Sequence, residues 1–137
     1  PLKLEIHQDL PKKIKKRLEE VIEKGHLEVR GEVYMTITAF EKVNEERKKQ
    51  GLPLYANPRN TAAGSIRQLD PKVAASRELN FLAYDLVTDV GQETHQMEHQ
   101  ITQALGFKTD WGKYCANLEE VIDFWKEMQE KRKRLPY

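Results

Sequence analysis

The sequence is poor in cysteine, in charge of one sign and in long apolar runs. Cys115 is the only cysteine, so no disulfide can close within the chain, which fits a reducing, cytoplasmic setting. A lone cysteine reads as a packing residue rather than a nucleophile. No stretch approaches the roughly 20 apolar residues of a membrane span, and no signal-peptide pattern is visible, so no membrane partner is expected. The 23 Lys and Arg residues against 22 Asp and Glu leave a formal charge of +1. No global field draws the chain to nucleic acid, and any such contact has to be local. Internal repeats and low-complexity tracts are absent as well. What remains, 137 residues of which 39% are apolar and 33% charged, suffices for one small domain with a core.

Hydrophobic periodicity places the elements. Leu2 to Ile6 alternates as a strand would. Pro11 to Lys24 predicts a helix with Asp9 as its cap, Ile14, Leu18, Val21 and Ile22 on its apolar face, and Gly25 at its end. Thr38-Ala39-Phe40-Glu41 has the form of a capping box, opening a helix that reaches about Gln50 and stops at Gly51. Leu79 to Val87 reads as a buried strand. Thr94 to Leu105 reads as a helix ended by Gly106, and Asn117-Leu118-Glu119-Glu120 opens the last helix, with Val121, Phe124, Trp125 and Met128 facing inward.

Two runs carry the chemistry. The first is Leu27-Glu28-Val29-Arg30-Gly31-Glu32-Val33-Tyr34-Met35. As a strand it puts Leu27, Val29, Gly31, Val33 and Met35 on one face and Glu28, Arg30, Glu32 and Tyr34 on the other. That pattern also fits a half-solvated antiparallel strand with cross-strand ion pairs. The second run is Ala56-Asn57-Pro58-Arg59-Asn60-Thr61-Ala62-Ala63-Gly64-Ser65-Ile66-Arg67-Gln68-Leu69-Asp70. Asn57-Pro58 punctuates a loop, Asn60 or Thr61 caps a short helix, and the small residues from Thr61 to Ser65 let a ligand or another backbone come close. Two arginines bracket this bare surface, and their planar forks match phosphate oxygens. A tight packing site flanked by two surface arginines would use the same residues.

These runs, with Ala75-Ser76-Arg77-Glu78-Leu79-Asn80-Phe81-Leu82-Ala83-Tyr84, resemble the adenylation domain of bacterial NAD-dependent DNA ligases. The resemblance is strong from Leu27 to Tyr84 and looser elsewhere. It implies an α+β fold of the nucleotidyltransferase type, an antiparallel sheet with flanking helices. It implies NAD as adenylyl donor, Mg2+ in the intact enzyme, and nicked double-stranded DNA as partner. By the same resemblance Glu32 contacts the adenylate ribose, Arg59 and Arg67 contact the adenylate phosphate or the 5′-phosphate at the nick, and Tyr84 stacks on adenine.

The family's nucleophilic lysine lies in a Lys-x-Asp-Gly motif upstream of the glutamate strand. None of the 26 residues before Leu27 forms it, and Lys108-Thr109-Asp110 is followed by Trp111. The family's Asp-Gly-Val-Val-x-Lys strand would follow Leu135-Pro136-Tyr137. The expectation is one partial adenylation domain over residues 1–137, truncated at both ends and unable to adenylate itself. Strand edges left open by truncation invite pairing with a second copy as a homodimer. The alternatives are a nonenzymatic nucleotide- or DNA-binding module of the same fold and a purely structural domain.

Other features are given less weight. His95 and His99 have helical metal-ligand spacing, but nothing nearby completes a ligand set, and Glu98 is placed on a different face from either. The basic stretch Lys126 to Arg134, with Glu127 and Glu130 interleaved, reads as a solvated helix face.

Overall fold

The structure is a computed structural model that describes residues 10–109 and 112–137. Among these, the elements in chain order are helix α1 (Lys12–Glu23), strand β1 (Val29–Met35), helices α2 (Ile37–Lys49), α3 (Pro58–Ile66) and α4 (Pro71–Ala75), strand β2 (Leu79–Leu86), and helices α5 (His95–Ala104) and α6 (Leu118–Arg132). β1 and β2 pair in a two-stranded antiparallel sheet. The Val87 amide donates to the Glu28 carbonyl at 3.0 Å. The α+β class expected from the sequence is the class observed. The strand read over Leu2 to Ile6 and the Asp9 cap lie outside the described residues.

The chain divides into two compact units, one from Pro1–Glu32 and Phe81–Trp111, the other from Val33–Asn80 and Gly112–Tyr137. Each strand begins in one unit and ends in the other.

In the first unit the apolar stripe of α1 meets the apolar face of α5. Ile14, Leu18, Leu86, Val90, Ile101 and Leu105 form the core, with Val21, Ile22, Leu27 and Val29 packed against it. A fully buried aliphatic side chain such as Leu18 or Ile101 contributes about 1.5–3 kcal/mol relative to exposure. Gly25 and Gly106, both at positive φ, end α1 and α5 as their positions in the sequence predict. Thr94 caps α5 by accepting from the Met97 amide. On the far side of β2, the Ala83 amide donates to the Lys108 carbonyl at 2.8 Å, so a short parallel bridge to Thr109 covers that position.

The polar face of β1 carries the cross-strand ion pair that alternation allows: Arg30 lies 3.7 Å from Asp85 and 3.4 Å from Glu28. The opposite side carries a steric constraint. A Cβ built on Gly31 would lie 2.5 Å from the Leu82 carbonyl oxygen and 2.7 Å from Cε2 of Phe81. Only a residue without a side chain fits under that ring.

The second unit is organised on Met35, Ala39, Val43 and Ala62, with Phe40 and Leu79 packed against them. The chain end is tied into it: the Ile37 amide donates to the Pro136 carbonyl at 2.8 Å, and the Tyr34 and Tyr137 rings lie 4.7 Å apart.

Three expectations are corrected. α2 is capped by Thr36, which accepts from the Ala39 amide at 3.1 Å. Thr38 therefore lies inside the first turn, and the capping box read there does not form. Glu98 shares a face with His95 and approaches its Nδ1 to 2.9 Å, because residues three apart on a helix are neighbours. α6 begins at its Asn117 cap as predicted, yet none of its residues is buried. Val121 and Trp125 are exposed, Trp125 by 58%, while Phe124 and Met128 are half-buried. Helical spacing reveals an apolar stripe but not what covers it. The basic end of α6 is a solvated face laced with ion pairs, Lys126 to Asp123, Lys131 to Glu127 and Lys133 to Glu130. The Lys131 hydrogen bond and charge hold the Glu127 carboxyl below its ordinary value.

Gly31→Ala is expected to destabilise the fold by about 1–3 kcal/mol, the cost of overpacking, because the clash includes a backbone oxygen. Urea denaturation of the two proteins measures it.

Candidate functional site

The second chemistry-bearing run folds as a loop, the helix α3 and a turn into α4. Asn57 adopts an extended backbone and its side chain accepts from the Asn60 amide at 2.8 Å. Pro58 occupies the first helical position, where its missing N–H has no cost. The cap is thus Asn57 rather than Asn60 or Thr61. Thr61 lies inside the helix and its hydroxyl donates back to the Asn57 carbonyl at 2.8 Å. Asp70 caps α4 in the same manner, accepting from Lys72.

Helical geometry sorts the residues of α3 into rows. Thr61, Ala62 and Ser65 are buried. Arg59, Ala63 and Arg67 form an exposed row, with Arg67 as the C-cap. Asn60, Gly64 and Gln68 form the next row, which lines a hollow of about 190 Å³. Tyr55, Val73 and Arg77 complete much of its wall. Neither Arg59 nor Arg67 belongs to that lining.

Tyr55 is held firmly. Asn44 bonds its backbone on both sides, accepting from the Tyr55 amide at 2.8 Å and donating to its carbonyl at 3.1 Å. The Arg47 guanidinium stacks 4.2 Å above its ring centroid and donates to the phenol oxygen at 3.3 Å. Arg77 approaches the same ring at 5.9 Å, the outer limit of a cation–π contact. Arg77 leads into Glu78, which adopts φ 49°, an uncommon conformation for a residue with a side chain. The Glu78 carboxylate is anchored by Lys42 at 3.1 Å.

The four residues singled out by resemblance are placed as follows. Glu32 is an exposed residue of β1 and Tyr84 an exposed residue of β2, the latter 46% accessible. Arg59 and Arg67 are exposed on one row of α3. Sequence reasoning passed over Arg77 and Tyr55. Arg77 stood inside the family-like stretch Ala75 to Tyr84, but its burial is a tertiary property.

Asn57→Ala is expected to cost about 1 kcal/mol through loss of the cap. Gly64→Ala is expected to gain up to about 1 kcal/mol of helix propensity, since a Cβ there meets nothing within 4 Å. Thermal denaturation of both variants checks the opposite signs.

Comparison with known proteins gives a consistent answer. DNA ligase of Halothermothrix orenii is 48% identical over 113 residues, 81% of this chain and 17% of that protein. DNA ligase of Bacillus subtilis is 48% identical over 114 residues, with the same shares. DNA ligase of Bacillus velezensis is 44% identical over 133 residues, 95% of this chain and 19% of that protein. The chain thus spans less than a fifth of the length of these curated relatives. Residues 4–137 match the family described as the NAD-dependent DNA ligase adenylation domain, and the chain belongs to that family.

Proposed function

We propose that this chain acts as part of the adenylation domain of an NAD-dependent DNA ligase, which seals nicks in double-stranded DNA through a lysine-AMP and a DNA-adenylate intermediate. The observation that carries the reading is the family match across residues 4–137. The exposure of Glu32, Arg59, Arg67 and Tyr84 supports it, since each lies at the surface.

In this reading NAD is the adenylyl-donor substrate. Glu32 accepts hydrogen bonds from ribose hydroxyls, which suit a carboxylate. The guanidinium groups of Arg59 and Arg67 bind phosphate oxygens of the adenylate or of the 5′ end at the nick. Tyr84 offers its ring to the adenine face. The attacking lysine is supplied by another segment of the protein, because no Lys-x-Asp-Gly occurs in these residues. The cytoplasm as the site of action, and pairing of copies along a strand edge, belong to the same proposal. Magnesium is proposed for the intact enzyme. Among the described residues no three His, Cys, Asp or Glu side chains gather. Among them, too, no helix is long and apolar enough to cross a membrane.

Two measurements test the proposal. Mass spectrometry of the 137-residue chain after incubation with NAD and magnesium is expected to show no added adenylyl group, and such an addition would contradict the assignment of the nucleophile. In a ligase carrying this segment, Glu32→Ala and Arg67→Ala are each expected to lower nick sealing on the order of 100-fold, the scale for removing a charge-stabilising contact. Sealing at the unmodified rate by either variant would withdraw that residue's role.

A further inference from the structure

The turn between α3 and α4 carries a residue that the roles above leave unused. Leu69 is 101% exposed, more than any other large apolar residue described. Ile66, at the end of α3, is 52% exposed. Every residue from Ile66 to Lys72 is open to solvent, so two aliphatic side chains stand in a polar turn. A single surface leucine is ordinary, and exposure alone decides nothing. The way this turn is held, and its charge, decide more.

Leu69 is pinned from both sides. Before it, the Gln68 amide donates to the Ser65 carbonyl at 3.3 Å and the Gln68 side chain donates to the Gly64 carbonyl at 3.1 Å. After it, the Asp70 side chain accepts from the Lys72 amide at 2.9 Å and the Asp70 carbonyl accepts from the Val73 amide at 3.1 Å. A side chain held out on a fixed backbone loses little further freedom when something covers it. Covering it withdraws a whole leucine from water.

The surroundings select the cover. From Asn57 to Ala75 the charged residues are Arg59, Arg67, Asp70 and Lys72. The one acid among them, Asp70, is engaged as the cap of α4. A second copy meeting this turn with its own would set like charges together. A polyanion with an apolar interior suits it, and a nucleic-acid duplex has phosphates outside and stacked bases within. Proteins at the minor groove push leucine and similar side chains between base steps, at the cost of stacking there. That cost depends on how readily the step deforms. At a nick one backbone is interrupted, so the step opens most easily.

We infer that Leu69 is an apolar wedge that enters the minor groove of nicked DNA and packs against the bases at the interrupted step, with Arg67 and Lys72 along the neighbouring phosphates. The wedge favours a nick over intact duplex, because intact duplex resists the same side chain more strongly. DNA as the occupant rests on the ligase reading, whereas the exposure and the fixed turn do not.

The test uses a ligase carrying this segment and a nicked duplex with 2-aminopurine beside the nick, a base whose fluorescence rises when it unstacks. Binding of the unmodified protein is expected to raise the signal, and an intact duplex with the same base is expected to stay dim. Leu69→Ala and Leu69→Asn are expected to abolish the rise and to lower nick sealing about tenfold, the weight of one aliphatic side chain. Leu69→Met is expected to restore both.

A rise that persists in Leu69→Asn, an equal rise on intact duplex, or sealing at the unmodified rate by both truncated variants overturns the wedge. Slower self-adenylation by NAD without DNA, or a lower melting temperature, in Leu69→Ala places the side chain against protein and overturns it too. An unmodified protein that seals no nick overturns the ligase reading and takes the wedge with it. A sealing protein whose Leu69 variants match it overturns the wedge alone.

Discussion

The close approach of β1 to β2 at Gly31 is the constraint around which the strand pair is built. The Leu82 carbonyl and the Phe81 ring occupy the space a side chain would take. With that space filled by the neighbour, the two strands keep their ladder, and Leu86 reaches the core of the first unit. A glycine in the middle of a strand usually weakens it, and one found there marks a close approach. Here the approach is of both a backbone oxygen and an aromatic ring, so the position admits no compromise in size.

The helix α3 shows how one short segment presents different chemistry on adjacent rows. Its buried row is small enough to lie against the second core, where Ala62 is fully covered. One exposed row carries Arg59 and Arg67, separated by Ala63. The next carries Asn60, Gly64 and Gln68 toward the hollow. Two hydrogen bonds to Asn44 and a stacked guanidinium fix Tyr55 on the opposite wall. Such restraint means that a group entering the hollow would meet side chains already in place, so little ordering is left to do on binding.

Much of this was readable before any coordinates. The sequence starts the last two helices at Thr94 and Asn117, which the structure shows as their caps, and Gly25 and Gly106 end α1 and α5 as read. These are local events between a side chain and a backbone a few residues away, and a sequence states them directly. The misplaced caps, Thr38 for Thr36 and Asn60 or Thr61 for Asn57, arose because several residues nearby have the right chemistry. Extended backbone at Thr36 and Asn57 decided between them. The inward face read for α6 failed for a different reason, since an apolar stripe carries no information about its cover.

The residue sequence alone determined the α+β class, the alternation of β1, most helix ends and the family to which the chain belongs, because each depends on short-range pattern or on a long run of family-like residues. Only the tertiary structure decided that Arg77 rather than Arg59 or Arg67 lines the hollow, that its Nε is buried without a partner, and that Trp125 stands in solvent. Burial depends on which distant segments meet, and contacts between distant segments are fixed by the packing of the whole unit rather than by any one stretch of chain.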